Sequence, residues 1–156
     1  MSSLAGFAAV LYRARRPTED IDITPATTVD NLDRLSQALQ ELHARIRVDG
    51  VAAGLAFSTS AEALRGMWML NLRTTYGDCD LTFAPAGFEH GYDDLVGAAR
   101  ERRVGDVMVK VAALDDIIRS KASANRPKDQ EALPELEALS RRLHRDAETH
   151  PRSIDL

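Results

Sequence analysis

The sequence predicts an α+β fold: a small mixed sheet flanked by helices. Three observations carry this. The run "EDIDIT", residues 19–24, alternates polar and apolar side chains, the period of a strand. Leu32, Leu35, Leu39, Leu42 and Ile46 recur at spacings of three and four, the period of an amphipathic helix. Short strand-like runs at 67–75, 79–85 and 106–112 are then separated and followed by three more helical stretches.

In chain order, residues 4–14 ("LAGFAAVLYRA") read as a short helix entered from Gly6. In the strand over 19–24, side chains two apart share a face, so Ile21 and Ile23 face the core while Asp20 and Asp22 face together on the other side. "TPATT" is a turn, with Thr27 or Thr28 capping the leucine-striped helix, which Gly50 closes. Residues 51–66 read as irregular, with a helical turn at "AEALR". "MWMLNLRTT" is a strand, Tyr76-Gly77-Asp78 a hairpin turn, and "CDLTFAP" the return strand stopped by Pro85. A glycine-containing loop over 86–92 leads to a helix over 93–103 and a strand at "DVMVKVA". A helix over 114–125 is broken at "RPKD" before a last helix, 128–146, that carries Leu133, Leu136, Leu139 and Leu143. Residues 1–146 thus form one domain, and 147–156 a frayed tail.

Bulk numbers narrow the function. The chain has 156 residues, 44% hydrophobic and 28% charged, enough for one core. Its net charge of −4 excludes a globally basic nucleic-acid binder. Basic residues still cluster at Arg13, Arg15 and Arg16, at Arg100, Arg102 and Arg103, and at Lys121, Arg126 and Lys128. Each is either a local basic face or, for the arginines near 100, a solvated helix end. The single cysteine, Cys79, excludes a disulfide framework and points to the core as a small hydrophobe. The four histidines have no metal-ligand spacing. With no apolar run of membrane length and no leader pattern, a cytoplasmic protein with no membrane partner is expected.

The chemistry is carried by acids. Asp20-Ile21-Asp22 places two carboxylates on one strand face, and Asp78-Cys79-Asp80 repeats the pattern. If the two strands are neighbours, three or four carboxylates converge, a costly arrangement unless divalent cations hold it. Oxygen-only ligands favour magnesium or manganese. The bland alternative is a solvated strand face, or a cap on the turn at residue 24. Trp68 reads as core or sheet packing in preference to a base-stacking platform.

"AGFAAVLYRARRPTEDIDI" resembles the opening motif of the minimal nucleotidyltransferases of the polymerase β-like superfamily, closest to the branch that includes the AbiEii-type toxins. That motif is a glycine turn, a short helix, an Arg and a Thr, and a strand carrying D-x-D; here these are Ala5-Gly6, residues 7–14, Arg16, Thr18, Asp20 and Asp22. "YGDCDLTF" matches the family's later strand at Asp80, and "RSKASANRPKD" its late basic segment at Lys121, Lys128 and Asp129. The resemblance spans roughly residues 4 to 140. It departs in two places. Ala5 stands at the first turn glycine, and only "MSSL" precedes the turn, so the first strand is expected to be missing or very short.

The resemblance implies a nucleotidyltransferase fold and a two-metal enzyme. Asp20, Asp22 and Asp80 would be catalytic residues and ligands to two Mg2+ (or Mn2+) ions. Gly6, Arg16, Thr18 and Lys121 would bind a nucleoside triphosphate (NTP). The acceptor would be an RNA, including a tRNA, or a protein, and a cognate toxin or antitoxin is an implied partner. On the residues alone, Lys121 is equally a solvated helix position. Asp129 is either an acid–base group or a first-turn acid that complements the helix dipole. A degenerate interaction protein on the same fold is the competing reading, favoured by Ala5 and the short N-terminus.

Overall fold

The computed structural model describes residues 3–4 and 21–149. Ala5, Gly6, Arg16, Thr18 and Asp20, most of the helix expected over 4–14, and the tail from 150 lie outside the described residues. The elements in order are β1 (Ser3–Leu4), β2 (Ile21–Thr24), α1 (Val29–Glu41), β3 (Arg45–Val48), β4 (Val51–Leu55), α2 (Ala61–Arg65), β5 (Met69–Thr74), β6 (Gly77–Thr82), α3 (Tyr92–Val96), β7 (Arg100–Val104), β8 (Val107–Val111), α4 (Leu114–Ala124) and α5 (Pro127–Thr149). The strands form one mixed sheet in the order β4-β3-β5-β6-β2-β1-β8-β7. β2–β6 and β1–β8 are parallel and the remaining pairs antiparallel. The first strand is two residues long and sits between β2 and β8. The protein is therefore α+β, with a mixed sheet flanked by helices.

Two apolar clusters hold the layers together. On one sheet face, Leu32 and Leu39 of α1 and Leu64 of α2 pack on Leu70, Leu72, Leu81 and Phe83 of the β5–β6 hairpin and its exit. The other cluster joins Val111 at the end of β8 to Leu114 and Ile117 of α4 and Leu136 and Leu139 of α5. Leu39 is 2% exposed. Leu39→Ala should cost about 2–3 kcal/mol, the lower half of the range for buried leucines, because a single covering helix can settle onto the sheet. Urea unfolding of the two proteins checks this; an unchanged midpoint would mean α1 packs elsewhere.

Several elements differ from the sequence reading. The leucine stripe is helical only to Glu41, and Ile46 belongs to β3. His43 turns the chain at φ +51, and Thr75, in the β5–β6 turn, donates from its amide and its hydroxyl to the Leu42 carbonyl, capping the helix end. Gly50 does not close a helix: at φ +78 it makes the Asp49-Gly50 turn between β3 and β4, so 51–55 is a strand and not irregular. Thr28 is the N-cap of α1 through its carbonyl, not its side chain.

The β5–β6 turn is Thr75-Tyr76, since Thr74 pairs with Gly77, and Asp78 is already in the strand. The helix expected over 93–103 stops at Val96, and Arg100, Arg102 and Arg103 lie on the edge strand β7, not at helix ends. Its pairing with β8 outweighs the weak helical pattern. Ile23 packs on the core, but Ile21 lies past its rim, 39% exposed. Trp68 is not core: it is 76% exposed, just before β5. Leu136 and Leu139 are buried as expected, whereas Leu143 is exposed and Leu133 half-buried.

Between β6 and α3 the chain makes one demanding turn. Gly91 adopts φ +57, ψ −116, its amide donates to the Phe88 carbonyl, and the space where a Cβ would stand is taken by the carbonyl of Phe83. No helix among the described residues is long and apolar enough to cross a membrane.

Candidate functional site

Asp22 and Asp80 are direct neighbours. β2 and β6 run parallel, and their register pairs Ile21 with Cys79, Asp22 with Asp80, and Ile23 with Leu81. Residues in register project from the same sheet face, so both carboxylates stand together, opposite the face on which Ile23 and Leu81 pack. Asp78 shares that face by the two-residue period of β6. Cys79 points the other way, half-buried against the core.

Arginines neutralise much of this acidity. Arg47, on β3, reaches across β5 and donates from Nη1 to Asp78 Oδ2 at 3.0 Å and from Nη2 to Asp80 Oδ1 at 3.1 Å. Arg73 on β5 grips Asp78 a second time, from Nε to Oδ1 at 3.1 Å and from Nη2 to Oδ2 at 3.3 Å. Hydrogen bonds from Arg73 and then Arg47 hold the Asp78 carboxyl down at about 2, so it is ionised at any ordinary pH. Arg73 also donates to the Ala52 carbonyl at 2.8 Å, and Arg45 to that of Gly54 at 3.2 Å, which ties the β3–β4 hairpin to the same face.

The late basic segment arrives from α4 and α5. Asp129, in the first turn of α5, is fully buried. Its Oδ1 accepts from Lys121 Nζ at 3.2 Å, and Arg126 binds it through two nitrogens. Burial pushes the Asp129 carboxyl up, but Arg126 and Lys121 outweigh it and hold the group below its ordinary value. The Arg126 guanidinium is pushed up by its hydrogen bond to Asp129, and the charges of Asp22 and Asp80 add to that shift. Arg126 is thus within electrostatic reach of both acids.

Of the sequence-predicted residues, the structure therefore brings Asp22, Asp80, Lys121 and Asp129 to one region of the molecule. Asp20, Gly6, Arg16 and Thr18 lie outside the described residues. Lys128 is exposed. Asp129 is a buried anchor for two cations, more than the surface dipole acid that its first-turn position suggests.

Sequence reasoning missed Arg47 and Arg73, and placed Arg126 only in a basic cluster with Lys121 and Lys128. Arg126 stood inside "RSKASANRPKD", flanked by residues given roles. Arg47 left no signal in spacing, because it reaches the acids only through the β3-β5-β6 strand order. Asp22 and Asp80 offer the hard oxygen donors that magnesium prefers. Among the described residues, no three His, Cys, Asp or Glu side chains gather as a cation site. A scan against protein-family models finds no match to the chain, and a search of curated proteins finds none either.

Proposed function

We propose that the chain has the polymerase β-like nucleotidyltransferase fold and moves a nucleoside monophosphate from an NTP to an RNA or protein hydroxyl, in the cytoplasm, as one half of a toxin–antitoxin pair. One observation supports this most: the second acid of the first D-x-D and the second acid of the later one stand opposite each other in a parallel strand register. Asp22 and Asp80, with Asp20 from the same motif, are the residues that would hold Mg2+. When bound, such cations offset the charge of the triphosphate and of the departing pyrophosphate.

The protein's own groups divide the remaining work. Lys121 and Arg126, both fixed by Asp129, supply cations for the triphosphate on the side of the acids where α4 and α5 arrive. Asp80 accepts the proton of the attacking hydroxyl.

The second reading, a degenerate interaction protein on the same fold, is favoured by the Arg47–Asp80 ion pair, which neutralises one of the acids without any metal. Melting curves separate the two. An active site should be stabilised by Mg2+ with a nonhydrolysable NTP. Asp22→Asn should lose both the stabilisation and any label transfer from NTP to cell RNA or protein. A destabilised mutant beside a wild type indifferent to Mg2+ and NTP would refute the enzyme reading.

A further inference from the structure

The sheet ends in β4 on one side and β7 on the other, and the two edges are finished differently. At β4 the register with β3 shifts between Ile46 and Val48, and Gly54 stands at φ +65. Arg73 takes the Ala52 carbonyl and Arg45 that of Gly54. A bent edge with occupied carbonyls resists a further strand. β7 pairs with β8 without a break, from Arg100 opposite Val111 to Val104 opposite Val107. In a two-residue hairpin the closing pair exchanges both backbone hydrogen bonds, and the pairs alternate from there. The backbone groups of Val104, Arg102 and Arg100 therefore face β8, and those of Glu101 and Arg103 face outward. Among the described residues, these outward groups meet only the Arg102 guanidinium, 3.4 Å from the Glu101 carbonyl.

The side chains around this open edge are basic. Residues 100–111 hold Arg100, Arg102, Arg103 and Lys110 against Glu101 and Asp106, in a chain of net charge −4. Arg100 and Arg102 share one face, about 7 Å apart at the backbone. Both are exposed, and among the described residues neither meets a carboxylate. On the other face, Arg103 comes no nearer to Asp106 than 3.8 Å, and Glu101 stands opposite Lys110. Two copies of β7 laid edge to edge would bring arginines together, which disfavours self-pairing. We propose that β7 receives an extended acidic segment of another protein, which adds to the sheet as a further strand. The backbone of Glu101 and Arg103 supplies the hydrogen bonds, and Arg100 and Arg102 select acids two residues apart on their shared face. β1 and β8 separate this edge from β2, so the inference does not depend on the chemistry assigned to Asp22 and Asp80.

The probe is a dye-labelled, end-blocked peptide alternating glutamate and valine, titrated into the full chain by fluorescence anisotropy. Amide exchange is followed beside it by NMR. The peptide should bind and protect the Glu101 and Arg103 amides from exchange. Arg100→Thr with Arg102→Thr should weaken binding about tenfold, and each single change about threefold, the effect of losing exposed ion pairs. Both side chains are exposed and threonine suits a strand, so the variants should fold. Arg141→Thr, on α5, removes a surface charge elsewhere and should bind as wild type does. The same peptide N-methylated throughout keeps its charge but has no amide donors, and should not bind. Equal binding of the methylated peptide would reduce the contact to charge attraction and overturn strand addition. No binding of the acidic peptide by wild type would leave the arginines as guards against edge pairing and overturn the proposal. So would a single-stranded RNA that binds through Arg100 and Arg102 where the peptide does not, since the edge would then be a nucleic-acid contact.

Discussion

Gly91→Ala should be the most damaging glycine-to-alanine change among the described residues. A Cβ at Gly91 would lie 1.9 Å from the Phe83 carbonyl oxygen and 3.1 Å from its carbon. Both are backbone atoms of the segment leaving β6, so no side-chain rotation relieves the clash. The backbone at φ +57, ψ −116 is also a region that only glycine visits at low cost. The clash and the strain add, and either the turn or the packing of Phe83, 6% exposed, must give way. A loss of about 4 kcal/mol or more is expected, in the range reserved for forced backbone shifts. For a chain of this size that is a drop of about 10 °C or more in melting temperature. Gly97→Ala is the control: it has φ −65, ψ −34, and nothing within 4 Å of the new methyl. It should be neutral or slightly stabilising. Equal melting temperatures for the two variants would show that the turn at Gly91 is not built as described.

Asp129→Ala should come second, and unlike Gly91→Ala it should reach the candidate site. The carboxylate is 0% exposed and holds two cations, Lys121 and Arg126, whose side chains are 31% and 51% exposed. Removing one partner of a buried pair costs about 3–5 kcal/mol when the other stays buried. Here the orphaned cations can reach water, which places the expected loss near the lower end, about 3 kcal/mol. Both cations also lose their anchor, so the NTP-dependent stabilisation expected of wild type should disappear.

Acid provides an independent check on the same residue. The folded Asp129 carboxyl lies below its ordinary value, so its contribution to stability is complete above about pH 4, the unfolded carboxylate value. It is lost as pH falls through the folded value. Asp129→Asn should therefore lose less stability than wild type as the pH falls below about 4. Parallel acid dependence in urea melts of the two proteins would contradict the ion-pair assignment.

The legible part of this fold is the part with short-range signals. The alternation in "IDIT" gave β2 and the face of Asp22. The run at 106–112 gave β8, and the leucines of α5 gave its buried stripe at Leu136 and Leu139. Periodicity failed where it continued past its element. Ile46 falls four residues after Leu42 and so looked helical, although Asp49-Gly50 just beyond it is the strongest short hairpin signal a sequence offers. Weighting that dipeptide over the stripe would have recovered β3 and β4. The arginines near 100 sit among small residues and a single glutamate, a pattern that reads as a helix end. Only the pairing with β8 makes them a strand. At the site, the acids were visible because two copies of one motif share a spacing. The cations that hold them were not, because Arg47 contacts Asp78 and Asp80 across strands whose order no local pattern encodes.

The pairing of Asp22 with Asp80 also dictates when the site can exist during folding. The β3–β4, β5–β6 and β7–β8 hairpins and the α4–α5 pair join segments adjacent in the chain and close only short loops. The parallel pairing of β2 with β6 has α1, the β3–β4 hairpin, α2 and β5 between its partners, and so carries the larger closure entropy. Such non-local parallel pairings form slowly and depend on pieces already in place. The two acids therefore meet only at the seam between preassembled parts, late in folding. An intermediate that has made its hairpins and laid β3 against β5, but not yet zipped β2 onto β6, would hold Asp78 and Asp80 on Arg47 and still lack the site.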